Sequence, residues 1–592
     1  MRLLLTALTL LGYCTTYAQS PTHPNVVLII TDDQGYGDLG FTGNPHVQTP
    51  TLDQLASESI QLTNFYVSPV CAPTRSSLMT GRYSLRTGVH DTYNGGAIMA
   101  TTEVTLAEML KQADYSTGIF GKWHLGDNYP SRPQDQGFDE SLIHLSGGMG
   151  QVGDFTTYFQ RDSSYFDPVL WHNGEPQPYE GYCSDIFAEQ AVQFIKNQSS
   201  PFFCYLSFNA PHTPLQVPDE YYQRYKDIDP TTGFSDGRLY PERLYPERPF
   251  PEMSDKDKED ARRVYAMVTN IDDNINKVLT ALDEQGIADN TIVIFMTDNG
   301  PQQRRYVAGM RGLKGTVYRG GVRVPFLLRY PAVFSGQREV KTTTAHLDIL
   351  PTLAELCSVP LPKHRVIDGE NLTPLLRGDS VGWADRSLFF TWTRRYPVLY
   401  QNVALQRGNY KLVGQTDYNA DITDFELFDT QADPYEQKNL VEEKTDLARD
   451  LKQSLDQHFF TLINEPNLVN PPRIVIGSEA ENPVYLNRND AGGDRNIWAQ
   501  EEVYGKWQVD IAEGDYYTLT FKFLNPIETP GEMVVEAETL INQQAITTTG
   551  SDELIMKDVY LPRMTGDLRP FYQTEDRRVF PFWVKVERMK KD

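Results

Sequence analysis

"NVVLIITDDQG", residues 25–35, joins an unbroken apolar run to two adjacent carboxylates. A strand with one wet face alternates polar and apolar residues; Val26–Ile30 does not, so both of its faces belong in a core. "YSTGIF" (115–120), "PFFCYLSF" (201–208), "TIVIFM" (291–296) and "VPFLLRY" (324–330) repeat the pattern, and helical segments separate them. In "SDIFAEQAVQFIKNQ", Ile186, Phe187, Ala191, Phe194 and Ile195 share one face, and Ser184 can cap the start. Buried strands alternating with helices predict an α/β fold with a mostly parallel central sheet covered by helices on both sides.

In such a sheet, ligands collect beyond the carboxyl ends of the strands. Asp32 and Asp33 follow the first run, Lys122 and His124 ("GKWHLG") the second, His212 ("NAPHTP") the third, and Asp298 and Asn299 ("TDNG") the fourth. Taken singly, each has a plainer reading, as a turn, a cap or a structural histidine. Taken together, three carboxylates and an amide oxygen form an all-oxygen set suited to Ca²⁺ or Mg²⁺ rather than zinc.

Cys71 opens a helical pattern, "TRSSLMTGRY", with Arg75 one turn on. A positive helix end and a guanidinium lower a thiol pKa, so these residues alone predict a thiolate nucleophile. Cys204 lies inside an apolar run and Cys357 closes "LDILPTLAELC", as small buried hydrophobes would. In an oxidising compartment, Cys71, Cys183, Cys204 and Cys357 could still form two disulfides.

The chain has 592 residues and a formal charge of −25, from 54 basic and 79 acidic side chains. That length predicts two to four domains. The charge excludes nucleic acid as a bulk partner and requires a local positive pocket for any anionic ligand. Met1-Arg2, "LLLTALTLLG" and "TTYAQS" read as a secretory signal cleaved after Ala18. Its apolar run is too short to span a bilayer, so a periplasmic or secreted protein without stable membrane insertion is expected.

The expected division is 1–18 signal, 19–384 catalytic α/β domain, 385–466 small α+β subdomain and 467–592 accessory β-sandwich. Strict alternation at Trp507, Val509 and Ile511, then at Leu519, Phe521 and Phe523, predicts the sandwich. Trp498, Trp507, Tyr516 and Trp583 could meet a glycan there, with core packing the expected role. The tandem "LYPERLYPER" (239–248) reads as a Pro-stiffened surface loop.

Cys71-Ala72-Pro73-Thr74-Arg75, continued by "SSLMTGRY", resembles the C-x-P-x-R signature of the type I, formylglycine-dependent sulfatases of the alkaline-phosphatase-like superfamily. "NVVLIITDDQGYGDLG", "GKWHLG", "NAPHTP", "TDNG", "MRGLKGTVYRGGVRVP", "HLDILPTLAELC" and "LFDTQADPYEQKNL" extend the likeness in order, over roughly residues 24–460. The resemblance implies that Cys71 is oxidised to formylglycine, whose gem-diol attacks sulfur. It implies Ca²⁺ held by Asp32, Asp33, Asp298, Asn299 and the modified residue 71. Arg75, Lys122 and Lys314 would orient the diol and clamp the sulfate. His212, with Lys314, would protonate the departing sugar oxygen, and His124 would restore the aldehyde.

The implied partners are a sulfated polysaccharide or oligosaccharide, ulvan-like for example, and a formylglycine-generating or anaerobic sulfatase-maturating enzyme. Arg319 departs from the pattern, standing where relatives often carry an acid, next to a possible subsite. His46, His90, Arg394 and Arg395 are candidate substrate contacts, with surface or structural roles expected for each. The competing readings are a phosphoester or phosphonate hydrolase of the same superfamily, and a non-catalytic glycan-binding protein with an unmodified Cys71.

Overall fold

A computed structural model describes residues 23–589, apart from 200, 235–242, 246–247, 250–252, 335, 380–382 and 384–385. The signal segment, the 384/385 boundary and most of the LYPERLYPER tandem lie outside the described residues. The main sheet contains β1 (Asn25–Thr31), β2 (Ile60–Leu62), β3 (Ser116–Lys122), β4 (Glu140–His144) and β5 (Val169–His172). It continues with β6 (Glu175–Pro178), β7 (Phe202–Ser207), β8 (Thr291–Thr297), β9 (Phe326–Arg329) and β10 (Arg338–Val340). Their order across the sheet is β10-β2-β9-β8-β1-β7-β3-β4-β5-β6.

The five central strands, β8-β1-β7-β3-β4, are parallel throughout. The run at 324–330 becomes β9, antiparallel to β8, because an apolar run specifies burial on both faces but not direction. Alternate residues of β1 enter different cores. Val26, Leu28 and Ile30 pack with Leu78 and Met79 of α1 (Cys71–Thr80). Val27 and Ile29 pack with Phe187 of α2 (Cys183–Lys196) and Val264 of α3 (Asp255–Glu284). Both faces of the strand are therefore dry, which accounts for the unbroken apolar run. The parallel register sets Thr31 opposite Thr297, so Asp32-Asp33 and Asp298-Asn299 leave the sheet side by side.

Beyond the main sheet, β11 (Ser387–Thr391), β12 (Val403–Arg407), β13 (Tyr410–Gly414) and β14 (Glu426–Asp429) form an antiparallel sheet. Its apolar side shares a core with α4 (Thr445–Leu462). Two further sheets, of seven and four strands, follow from Ile474 onward. Their shared core contains Trp507, Val509, Ile511, Leu519, Phe521 and Phe523, so the alternation read from the sequence does mark inward-facing residues. No helix among the described residues is long and apolar enough to cross a membrane.

The strand-rich region is packed onto the α/β half. Tyr93 and Ile98 enter its core, and the Phe155 ring lies 5.4 Å from that of Tyr485 and 5.8 Å from that of Trp583. Asn487 is the polar centre of this junction. Its Nδ2 donates to Asp127 Oδ2 (2.9 Å), its Oδ1 accepts from the amides of Asn489 and Asp490, and its carbonyl accepts from Trp507 Nε1 (2.7 Å). Burial pushes the Asp127 carboxyl up to about 6, opposed by hydrogen bonds from Ser146 and Asn487. Replacing Asn487 with Ala removes that donor and strands two backbone amides. The expected cost is ~1–3 kcal/mol, read as a lower midpoint in denaturant unfolding.

Candidate active site

The strand ends converge. Asp32 follows β1, and Asp33 adopts a left-handed conformation (φ 61°), which bends the chain back across the sheet edge. Asp298 Oδ1 accepts from the Asp33 amide (3.1 Å), and the Asp298 amide donates to the Thr31 carbonyl (3.0 Å), which fastens the two acidic loops together. Asp32, Asp33, Asp298 and Asn299 are all fully buried.

Three cations offset this buried negative charge. Lys122 Nζ lies 2.5 Å from Asp32 Oδ2, Lys314 Nζ lies 2.7 Å from Asp33 Oδ1, and Arg75 Nη2 lies 2.8 Å from Asp298 Oδ2. Arg75 reaches this position because α1 begins at Cys71, one turn earlier. Its Nη1 donates to the Lys122 carbonyl (3.1 Å) and to Ser207 Oγ (2.5 Å), which ties α1 to the ends of β3 and β7. Two residues unmarked by the sequence reading brace the acidic loop: Arg305 pairs with Asp38 (2.7 Å) and donates to the Asp33 carbonyl (2.8 Å). Asp38 lies within the quoted "GYGDLG", but nothing in the spacing around Arg305 marks it as a partner.

Ligand atoms of Asp32, Cys71 and Asp298 lie within 4.8 Å of one another, as do those of Asp32, Asp33 and His212. Asp32 Oδ1 and Asn299 Oδ1 are buried and have no hydrogen-bond partner among the described residues. Two orphaned oxygens inside a carboxylate cluster fit a hard cation, which would satisfy both at once. Burial and the neighbouring Asp32 push Asp298 up to about 7, against Arg75 and Lys122. Burial opposes the charge on Asp33 as well, but Lys314, His212 and Asn299 hold its carboxyl below the ordinary range.

A cavity of about 490 Å³ opens above this cluster. Cys71, His124, His212 and Lys314 line it, together with Thr92, Tyr93, Gln151, Gln302, Trp392, Arg394, Arg495 and Trp498. Arg75 and Lys122 lie behind the wall and are not part of its lining. His124 (φ 62°) donates through Nε2 to the Thr92 carbonyl (2.9 Å), and Gly147 lies so close that a Cβ there would sit 2.7 Å from the His124 ring. His212 Nδ1 meets the Thr213 carbonyl (2.8 Å), and its Nε2 lies 3.6 Å from Asp33 Oδ2. Both imidazoles are held neutral. Burial, then Lys314, pushes His212 down to about 3; burial, then Lys122, pushes His124 well below its usual value.

The structure bears on several expectations. Cys71 is not an activated thiolate: burial pushes its thiol up, and Lys122 and Lys314 oppose that effect without reversing it. A helix N-terminus favours a thiolate only where the charged sulfur keeps adequate solvation, and Cys71 is 2% exposed. All four described cysteines are free and buried, so neither possible disulfide is present. Arg319 is buried away from the cavity, donating to the Thr430 carbonyl (2.7 Å) and Asn64 Oδ1 (3.0 Å). His46 and His90 bond to backbone carbonyls and do not line the cavity, and neither does Arg395. Arg394 and Trp498 do line it. Trp507 is core, Tyr516 lies beside Tyr560, and Trp583 packs at the junction. The sequence reading did not find Trp392, Arg495 or the interlocking carboxylate Asp91, which accepts from Trp392 Nε1 and Arg394 Nη1.

The raised thiol has a direct readout. Alkylation of Cys71 by iodoacetamide, in protein whose cysteine is unmodified, should be slow at pH 7 and keep accelerating beyond pH 9. A rate that levels off near pH 7 would indicate an activated thiolate instead.

Comparison with known proteins places the chain in a family. The sulfatase family model matches residues 24–359, and the model of the N-sulphoglucosamine sulphohydrolase C-terminal region matches 313–462. The chain is 31% identical to human arylsulfatase A over 484 residues, covering 73% of this chain and 86% of that one. It is 30% identical to the ulvan-active sulfatase of Formosa agariphila over 440 residues, covering 71% and 78%. The crystal structure of Ps i-CgsB in complex with k-i-k-neocarrahexaose aligns with a TM-score of 0.62 at 27% identity, over 75% of this chain and 94% of that one. With that match spanning more than half of its length, the chain belongs to the sulfatase family, within the alkaline-phosphatase-like superfamily, and is a sulfuric ester hydrolase.

Proposed function

We propose that this protein removes sulfate from sulfated carbohydrates, using a formylglycine made from Cys71 and a Ca²⁺ ion. One observation carries the reading. In a chain of charge −25, the floor of the cavity presents residue 71 among Asp32 and Asp298, with the cation Lys314 on the same wall. The ulvan-active relative and the neocarrahexaose-bound neighbour favour a glycan over other sulfate esters, and make ulvan a natural first polymer to test.

Asp32, Asp33, Asp298 and Asn299 would hold the cation, which when bound supplies a Lewis acid beside the sulfate. Residue 71, as the aldehyde hydrate, supplies a nucleophilic hydroxyl. Arg75 and Lys122 lie behind the wall, so their part is to offset the charges of Asp298 and Asp32. Lys314, which does line the wall, meets the sulfate oxygens. Burial works against its charge, but Asp33 holds its pKa above the ordinary lysine value. Lys314 is thus the proton-bearing group next to the leaving oxygen. His212 stands beside it as a neutral imidazole, pushed down by burial and Lys314. At His124, the Thr92 carbonyl calls for a proton on Nε2, leaving the unpartnered Nδ1 as the basic atom of a neutral ring. That state suits a general base.

The same reading makes the protein an exported one with the division 19–384, 385–466 and 467–592, matured by a formylglycine-generating or anaerobic sulfatase-maturating enzyme. The test is mass spectrometry of the peptide containing residue 71, from a host able to mature it, alongside sulfate release from an aryl sulfate. Conversion of thiol to aldehyde with sulfate release is expected; an unmodified thiol in active protein would overturn the mechanism. An aryl phosphate turned over in preference would favour the phosphoester reading. Ca²⁺ at about 100 times its Kd should stabilise the fold by ~2.7 kcal/mol, seen as a rise in Tm that Asp32→Ala abolishes.

A further inference from the structure

The chemistry at the floor of the cavity needs a single sulfate, yet its mouth carries a further cation that no carboxylate among the described residues offsets. Three cations line the wall. Lys314 is paired with Asp33, and Arg394 with Asp91 (3.0 Å). Arg495 is exposed and has no carboxylate or hydrogen-bond partner among the described residues. Arg394 spends only Nη1 on Asp91 and Thr92; its guanidinium lies 4.9 Å from the centre of the Tyr93 ring and 4.8 Å from that of Trp392. The remaining donors of Arg394, and all those of Arg495, are left for a ligand. A guanidinium fork matches the two oxygens of a carboxylate or sulfate.

Arg495 and Trp498 come from the strand-rich region, whereas Trp392 and Arg394 come from the turn after β11. The two sides are fixed to one another: Arg395 Nη2 donates to the Gly493 carbonyl (2.5 Å), and the Trp498 ring meets the Tyr93 ring edge-on at 5.4 Å. Trp392 and Trp498 offer the apolar surface on which a sugar ring can lie.

We propose that Arg495, with the free donors of Arg394, forms an anion subsite at the mouth of the cavity, and that the preferred substrates are carbohydrates carrying a second negative group near the scissile sulfate. That group is a uronate carboxylate or another sulfate, which share the same recognition chemistry. The inference rests on the sulfatase reading and narrows its substrate class. It also makes the strand-rich region part of the substrate site.

The test is equilibrium binding to Cys71→Ala protein, which cannot turn over its ligand. Calorimetry would compare three disaccharides: one neutral apart from a single sulfate, one with a sulfate and a uronate, and one with two sulfates. A doubly anionic ligand should bind about tenfold more tightly, or better, than the singly sulfated one. Adding Arg495→Ala should cut that advantage to under about threefold, with the near-ultraviolet dichroism unchanged, and Arg495→Lys should fall between. A preference for the uronate alone assigns the subsite to carboxylate, and a preference for the disulfated sugar alone assigns it to sulfate. Equal binding of all three, no binding of any, or a preference that survives Arg495→Ala overturns the proposal. Failure of the sulfatase reading shows separately, as absent sulfate release from an aryl sulfate by matured protein.

Discussion

Everything in this structure answers to one electrostatic constraint, the burial of three carboxylates in contact. At an effective dielectric of about 20, two unit charges 4.8 Å apart repel by ~3 kcal/mol, and Asp32 lies within that distance of both Asp33 and Asp298. The chain meets this with three internal cations, each drawn from a different segment: Arg75 from the helix after Cys71, Lys122 from the end of β3, and Lys314 from the loop after β8. Removing one member of such a pair leaves a buried, uncompensated charge, a loss of about 3–5 kcal/mol. The repulsion is only partly relieved, as the raised Asp298 carboxyl and the two orphaned oxygens show.

Parallel strands bring these segments together. A parallel ladder sends every central strand out of the same edge, so residues far apart in the chain emerge as neighbours. Thr31 and Thr297 are register partners although 266 residues separate them. The site cannot exist in any fragment lacking one of those strands.

Much of this was legible in the sequence. Continuous apolar runs marked the buried strands, and the charged residues just after them marked the floor of the site. The C-x-P-x-R stretch singled out Cys71. What was hidden has physical reasons. Strand direction does not change an apolar run, so β9 could not be told from its parallel neighbours. The state of the Cys71 thiol depends on burial, which a local motif does not encode; helix end and Arg75 pointed one way and desolvation decided the other. Arg495 and Trp498 lie more than 420 residues beyond Cys71, in a region whose alternation reported only its own core. Their place in the cavity wall comes from packing across the junction at Asn487.

The burial of α1 sets an order of events. Every residue from Cys71 to Thr80 is buried, and among the described residues Cys71 faces the outside at the cavity it lines. A small reagent can travel down that opening. A protein catalyst that must grip residues 71–75 cannot, since Arg75 and Thr74 are fully enclosed. Any macromolecule that acts on this sulfur therefore has to reach it while the segment is still an open chain, and closing the sheet ends its access.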